Sequence, residues 1–247
     1  MKAHQQTAVT QRRTAIATGV LFLITHVTAV GGSLLYTPAQ NNPNYILGSG
    51  SEMQILLGVF LEVILALAVV GTAVALYPVV KRYNEGVALG YVGLRTLEAA
   101  VIAVGVVPLL ALITLRQTAG TDADVGALVT VGNALVALHN WTFLLGPGLV
   151  CGTNTVLMAY LMYKSHLVPR FIPILGLVGG PLIFVVNAVQ LFVRDAHIPA
   201  EWGFVVIPIF AWEVTLALWL IFKGFRSVAA APEPELTATT NQRLSAA

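Results

Sequence analysis

The chain has 247 residues, of which 57% are hydrophobic and 10% charged, with a formal net charge of +2. Soluble domains carry about 25% charged residues. The composition therefore excludes an ordinary water-soluble globule, and the small net charge gives no basic surface for nucleic acid.

A helix needs about 20 apolar residues to cross a hydrocarbon core about 30 Å thick. Six stretches reach that length: Thr14–Tyr36, Met53–Tyr77, Val87–Leu115, Asn140–Tyr163, Phe171–Val193 and Phe204–Phe222. In hydrocarbon a helix satisfies its own backbone polar groups, and no strand-like alternation competes with that reading. The expected fold is all-α, a polytopic transmembrane bundle of six helices. Residues 1–13 read as a cytoplasmic segment and 14–226 as the transmembrane domain. Residues 227–247 read as a disordered cytoplasmic tail, because Ala, Thr, Pro and Glu dominate them and large apolar side chains are few. The first stretch is too long for a signal-peptide core and reads as an uncleaved span.

The connections differ. Thr37–Glu52 is rich in Asn, Pro, Gly and Ser and reads as an irregular loop. Asp122–Leu138 mixes apolar and polar residues and reads as a short interfacial helix leading into the fourth span. Arg194–Gly203 is a polar loop carrying Pro199. Lys2, Arg12, Arg13, Lys81, Arg82, Lys164, Arg170, Lys223, Arg226 and Arg243 all fall on one side, against Arg116 and Arg194 on the other. Positive residues stay cytoplasmic, so both termini are expected inside, as an even number of spans also requires.

Ionisable groups inside spans cost about 2.5–3.5 kcal/mol for Arg or Asp on insertion scales, so each calls for a reason. They are His26, Glu62, Arg95, Glu98 and Glu213, with Asn154 and Asn187 as uncharged polar additions. Counting about 1.5 Å per residue from the cytoplasmic ends puts His26, Arg95, Glu98, Asn154 and Glu213 in one layer near the midplane. Glu62 falls about a turn further out, with Asn187 beyond it. Arg95 and Glu98, at i and i+3, share a helix face. One arginine, which keeps its proton, then meets three carboxylates. A protonated carboxyl, a protonated His26 or a bound cation has to balance the excess. Alternatively, the carboxylates occupy separate places and the charges only pin helices together.

Gly146-Pro147-Gly148 in the fourth span and Gly179-Gly180-Pro181 in the fifth read as helix breaks of the kind that line transporter sites. Frequent Gly and Pro in spanning helices would equally account for them. Gly86 with Gly90 and Gly148 with Gly152 have the spacing of close helix contacts. His139-Asn140-Trp141 marks the outer interface, where amphipathic rings sit. The single cysteine, Cys151, forms no intrachain disulfide and reads as a packing residue. No metal-ligand, phosphate-loop or nucleophile motif is present, so neither a metal, a cofactor nor a catalytic residue is assigned.

Several polar positions in fixed order carry a family resemblance. Gly93-Leu94-Arg95 is followed by Leu97-Glu98-Ala99, and His139-Asn140-Trp141-Thr142-Phe143-Leu144-Leu145-Gly146-Pro147-Gly148 comes later. Leu167-Val168-Pro169-Arg170, Pro208, Glu213, Trp219-Leu220-Ile221 and Lys223-Gly224-Phe225 complete the set. Over residues 12–226 the chain resembles the bacterial membrane family called domain of unknown function 4386. The resemblance implies a multi-pass protein of a bacterial cytoplasmic membrane with no assigned activity. It includes Arg95, Glu98, His139, Trp141, Pro147 and Glu213 in the family pattern.

Two functional readings follow. One is a binding or transport module, proton-linked and taking a small molecule or lipid through the midplane Arg/Glu/His cluster. The other is a structural or regulatory membrane subunit in which that cluster is a helix-packing network. An intramembrane enzyme has only the depth of Glu98 and His26 in its favour. The sequence does not specify oligomeric state. The topology has a direct test. A green fluorescent protein fused at the C-terminus is expected to fluoresce, whereas alkaline phosphatase is expected to be inactive there and active when inserted within Thr37–Glu52. The opposite pattern reverses the orientation.

Overall fold

The computed structural model describes residues 2–48, 50–120, 122–193 and 204–226, with side chains from Thr10 onward. The loop at Arg194–Gly203 and the tail from Ser227 lie outside the described residues. Helix α1 spans Lys2–Asn41 and is followed by a 3-10 turn at Tyr45–Leu47. Helices α2 (Glu52–Val80), α3 (Glu85–Thr118) and α4 (Val125–Phe143) come next. A π-helical segment, Leu144–Val150, leads without interruption into α5 (Cys151–Ser165). Helices α6 (Phe171–Phe192) and α7 (Ile207–Phe222) complete the chain. Six helices are long and apolar enough to cross a membrane, with α4, the π segment and α5 acting as one helix over Val125–Ser165.

Local chemistry sets the helix ends. The Asn84 side chain accepts from the Val87 N–H at 3.0 Å and starts α3. Asp124 accepts from the Gly126 and Ala127 N–H groups at 2.8 and 3.2 Å and starts α4. Each cap satisfies donors that a first turn leaves open. At the end of α5, His166 takes a left-handed conformation with φ 55°, the position that usually falls to Gly.

Two expectations need correcting. Asp122–Leu138 is not a separate interfacial helix, because capping by Asp124 starts one continuous helix that runs on to Ser165. Nor are Gly146-Pro147-Gly148 and Gly179-Gly180-Pro181 breaks. The first triplet lies in the π segment, where an extra residue per turn accommodates the missing proline donor. The second lies inside the unbroken α6.

Successive spans pack side by side and α7 returns to α1, closing a ring, while α3 also packs against α5. We call the end holding the start of α1, the α2–α3 turn and the end of α7 the terminal end, and the opposite one the distal end. At the terminal end Arg12 closes the ring: its guanidinium donates to the carbonyls of Leu220 and Ile221 at 3.0 and 2.7 Å, the orphan acceptors of the last turn of α7. A core of Phe22, Leu76, Tyr91, Met158, Trp212 and Leu216 fills that half. A second core at the distal end joins Tyr36, Tyr45, Ile55, Leu109 and Leu112. There Arg116 lies 5.2 Å from the Tyr45 ring centroid and donates to the Gly50 carbonyl at 3.0 Å. Burial lifts the Tyr45 hydroxyl above the ordinary tyrosine range, and the Arg116 charge opposes that shift.

Helix α5 meets α6 through glycine. A Cβ on Gly152 would lie 2.8 Å from the Gly180 carbonyl oxygen, and one on Gly180 2.7 Å from that of Gly152. Backbone sits on both sides of this contact, so neither helix can yield by a rotamer change. Gly152→Val is expected to cost about 1–3 kcal/mol as overpacking and to lower the melting temperature in detergent. A Gly93→Ala control, with open space around its Cβ, should leave melting unchanged.

Candidate functional site: a neutral arginine knot and two histidine–glutamate dyads

Arg95, on α3, is 2% exposed. Its guanidinium donates to Glu98 Oε2 at 2.9 Å, one turn along the same helix, and its Nε donates to the Tyr91 hydroxyl at 3.3 Å. The Phe22 ring centroid lies 5.6 Å from the guanidinium carbon, near enough for a cation–π contact. Asn154, on α5, donates from Nδ2 to the same Glu98 Oε2 at 2.7 Å. One oxygen of Glu98, Oε2, thus accepts from donors on two helices, and an ionised Glu98 balances the charge of Arg95.

Glu213, on α7, stands 3.9 Å from the other arm of Arg95. Its second oxygen lies 3.4 Å from Nε2 of His26, on α1. The opposite ring nitrogen, Nδ1, is 3.0 Å from the Phe22 carbonyl oxygen. A carbonyl only accepts, so Nδ1 carries a hydrogen. Nε2 can then bond to Glu213 only if a further proton lies between them, on the imidazole or on the carboxyl. With that proton present, His26 and Glu213 together are neutral. Arg95 balances Glu98, and the whole cluster carries no net charge.

The same construction recurs nearer the distal end. His139, on α4, has Nδ1 2.9 Å from the Gly105 carbonyl of α3, and its Nε2 faces Glu62 Oε1 of α2 at 3.8 Å. Gly105 makes this approach possible, since a Cβ there would collide with Thr142 and lie 3.7 Å from His139 Nδ1. Tyr36 packs edge-on to the imidazole with ring centroids 4.8 Å apart. The Tyr36 hydroxyl and Glu62 Oε2 are both buried and are each other's neighbour. One proton again makes the dyad neutral. Gly105 follows Glu98 by seven residues on α3, so the two sites are about 10 Å apart along the helix axis.

The structure therefore brings His26, Arg95, Glu98, Asn154 and Glu213 together. It separates Glu62, which pairs with His139, and Asn187, which donates to its own helix at Ile183 and packs on Gly148. His139 was expected at the outer interface but is 2% exposed and faces the interior. Its neighbour Asn140 is exposed and accepts from Gln40 Nε2 at 3.0 Å, while Trp141 is 40% exposed. Pro147 lines the cavity of the deep cluster, and Gly146 fits against Val101 of α3. Tyr91 and Tyr36 escaped the sequence reading because tyrosines are ordinary in spans. Their signal was position: Tyr91 lies at i−4 from Arg95.

A cavity of about 130 Å³ opens beside the deep cluster, with His26, Arg95, Glu98 and Glu213 in its lining. Six apolar helices enclosing such a cluster define a helical multi-pass membrane protein with an ionic core. The chain belongs to the family described as Domain of unknown function (DUF4386), whose model matches residues 17–224. No curated protein and no solved structure matches it.

Removing Arg95 alone strands Glu98 and Glu213 in a low-dielectric interior. Arg95→Leu should therefore cost about 3–5 kcal/mol, the usual scale for a broken buried pair. Adding Glu98→Leu should recover part of that loss. Thermal melting in detergent measures both, and equal melting of Arg95→Leu and wild type would contradict the pairing.

Proposed function

We propose that this protein is a proton-linked binding module of the bacterial cytoplasmic membrane, with both termini in the cytoplasm. The observation that carries the reading is the His26–Glu213 dyad, one proton from neutrality, lining a cavity beside a permanent positive charge. At about 30 Å³ per water, the cavity has room for about four waters or one small solute. When the dyad loses its proton, the cluster carries a net negative charge among apolar helices. A small cation or a cationic group entering the cavity offsets that charge. Proton release and cation uptake are therefore exchanged at one place. The Lys and Arg distribution supports the orientation.

A packing role is supported for one part of the cluster. Arg95 and Asn154 both donate to Glu98 Oε2, so the trio joins α3 to α5. We assign the exchange to His26 and Glu213 and the pinning to Arg95, Glu98 and Asn154.

Infrared difference titration of the protein in lipid tests this division. A protonated-carboxyl band, or its imidazolium counterpart, is expected to titrate and to vanish in both Glu213→Gln and His26→Leu. Glu62→Gln should remove a separate band. A spectrum with no titrating carboxyl or histidine signal assignable to His26–Glu213 would overturn the proposal and leave the cluster as helix packing.

A further inference from the structure

A second and larger cavity, of about 560 Å³, lies toward the distal end between α1, the α4–π junction, α6 and the residues leading into α7. Ligand sites typically occupy about 300–1,000 Å³. Its polar lining includes Ser33, Gln40, Asn140, Asn187 and Gln190, and His139 with Tyr36 forms part of its wall. Among the described residues that line it there is no Asp, Glu, Lys or Arg.

That charge pattern selects the ligand. A charged head group moved from water into this lining would find no counter-charge among those described residues, at a cost of several kcal/mol. Amide side chains offer both donors and acceptors, which suits hydroxyl and ester oxygens. The Gln40–Asn140 bond uses one donor and one acceptor, leaving the Gln40 carbonyl and an Asn140 N–H for a ligand. The remaining wall is hydrocarbon, including Phe143, Leu144, Ile183 and Val186. The cavity lies between the two spans with the least covered surface, Val125–Ser165 at 22% buried and Phe171–Phe192 at 28%. A ligand therefore reaches it from the bilayer.

We propose that this cavity binds an uncharged glycerolipid, its hydroxyl and ester oxygens held by the Gln40, Asn140 and Gln190 amides and its chains lying along Val186 and Phe143. The site is separate from the His26–Glu213 dyad and does not depend on proton exchange there.

Photo-crosslinking in phosphatidylcholine vesicles tests the assignment. The probes are a photoactivatable dioctanoylglycerol and the matching dioctanoyl phosphatidic acid. The uncharged probe should label α4 and α6 around residues 139–144 and 183–190, with competition by unlabelled dioctanoylglycerol. Val186→Trp, which fills the space, and Gln190→Glu, which introduces a charge, should each cut labelling about tenfold, equivalent to about 1.4 kcal/mol. Size-exclusion and melting profiles like wild type would show that both variants fold. Glu213→Gln should label as wild type, which keeps the outcome distinct from that of the proton-exchange proposal. Equal labelling by the phosphatidic acid probe would overturn the proposal. So would labelling that Val186→Trp leaves unchanged, or a cross-link between two copies of the chain through this face in place of lipid labelling.

Discussion

A guanidinium among apolar helices cannot shed its charge, so the groups around Arg95 have to answer to it. Its desolvation is offset only by partners supplied at the right depth and angle. Glu98 arrives by helix periodicity alone, one turn along α3. Asn154 comes from α5 and holds the carboxylate in place through the same oxygen that Arg95 bonds. Glu213 and His26 come from α7 and α1, the helices that Arg12 joins at the terminal end. The closed ring of spans and the ionic core are thus two views of one requirement. Opening the ring between α1 and α7 would pull apart His26 and Glu213.

Within that frame the protein uses the same device twice. Each imidazole is oriented by donating Nδ1–H to a backbone carbonyl, and each turns Nε2 toward one carboxyl. The anchoring differs in kind. His26 uses a carbonyl of its own helix, where side-chain and backbone motion are tied together. His139 uses Gly105 of the neighbouring helix, so its orientation depends on how closely α4 approaches α3. The π segment begins at Leu144, a little over one turn past His139, and ends beside Cys151, next to the deep cavity. A segment with an altered hydrogen-bond ladder therefore runs between the two dyads, and π turns often mark places where a helix serves function as well as span.

Much of this was legible in the chain. Long apolar runs gave the spans, because a bilayer imposes length and backbone saturation more strictly than water does. The layer of His26, Arg95, Glu98, Asn154 and Glu213 could be read from helix rise, since depth in a straight helix is simple arithmetic. Depth does not reveal azimuth, and the reading ran out there. Glu62 looked like a member of one cluster, but its side chain meets His139 on the far side of Gly105. His139 looked interfacial because Asn140 and Trp141 follow it; one helical position, 100° of rotation, separates an exposed residue from a buried one. The Gly-Pro triplets looked like breaks because proline removes a donor, yet what else occupies the bend decides the outcome. In the fourth span the helix widens to a π turn, and in the fifth α6 runs straight through.

The carboxylate excess resolves once the groups are sorted by partner. Three carboxylates meet one arginine and two histidines, and each histidine supplies the place for one proton. The spans then hold no net charge when both dyads are protonated, and one negative charge for each proton lost. In water such a change is screened, but between apolar helices it is not. The cost of a bare negative charge falls when water or a cation reaches it. Arg95 stands 3.9 Å from Glu213, so the deep dyad lies beside a fixed positive charge. The Glu62–His139 pair has no arginine in its contacts among the described residues and is set beside the Tyr36 ring. One fixed cation thus makes the surroundings of two chemically similar dyads unequal, with the dyad that it faces lying beside the small cavity.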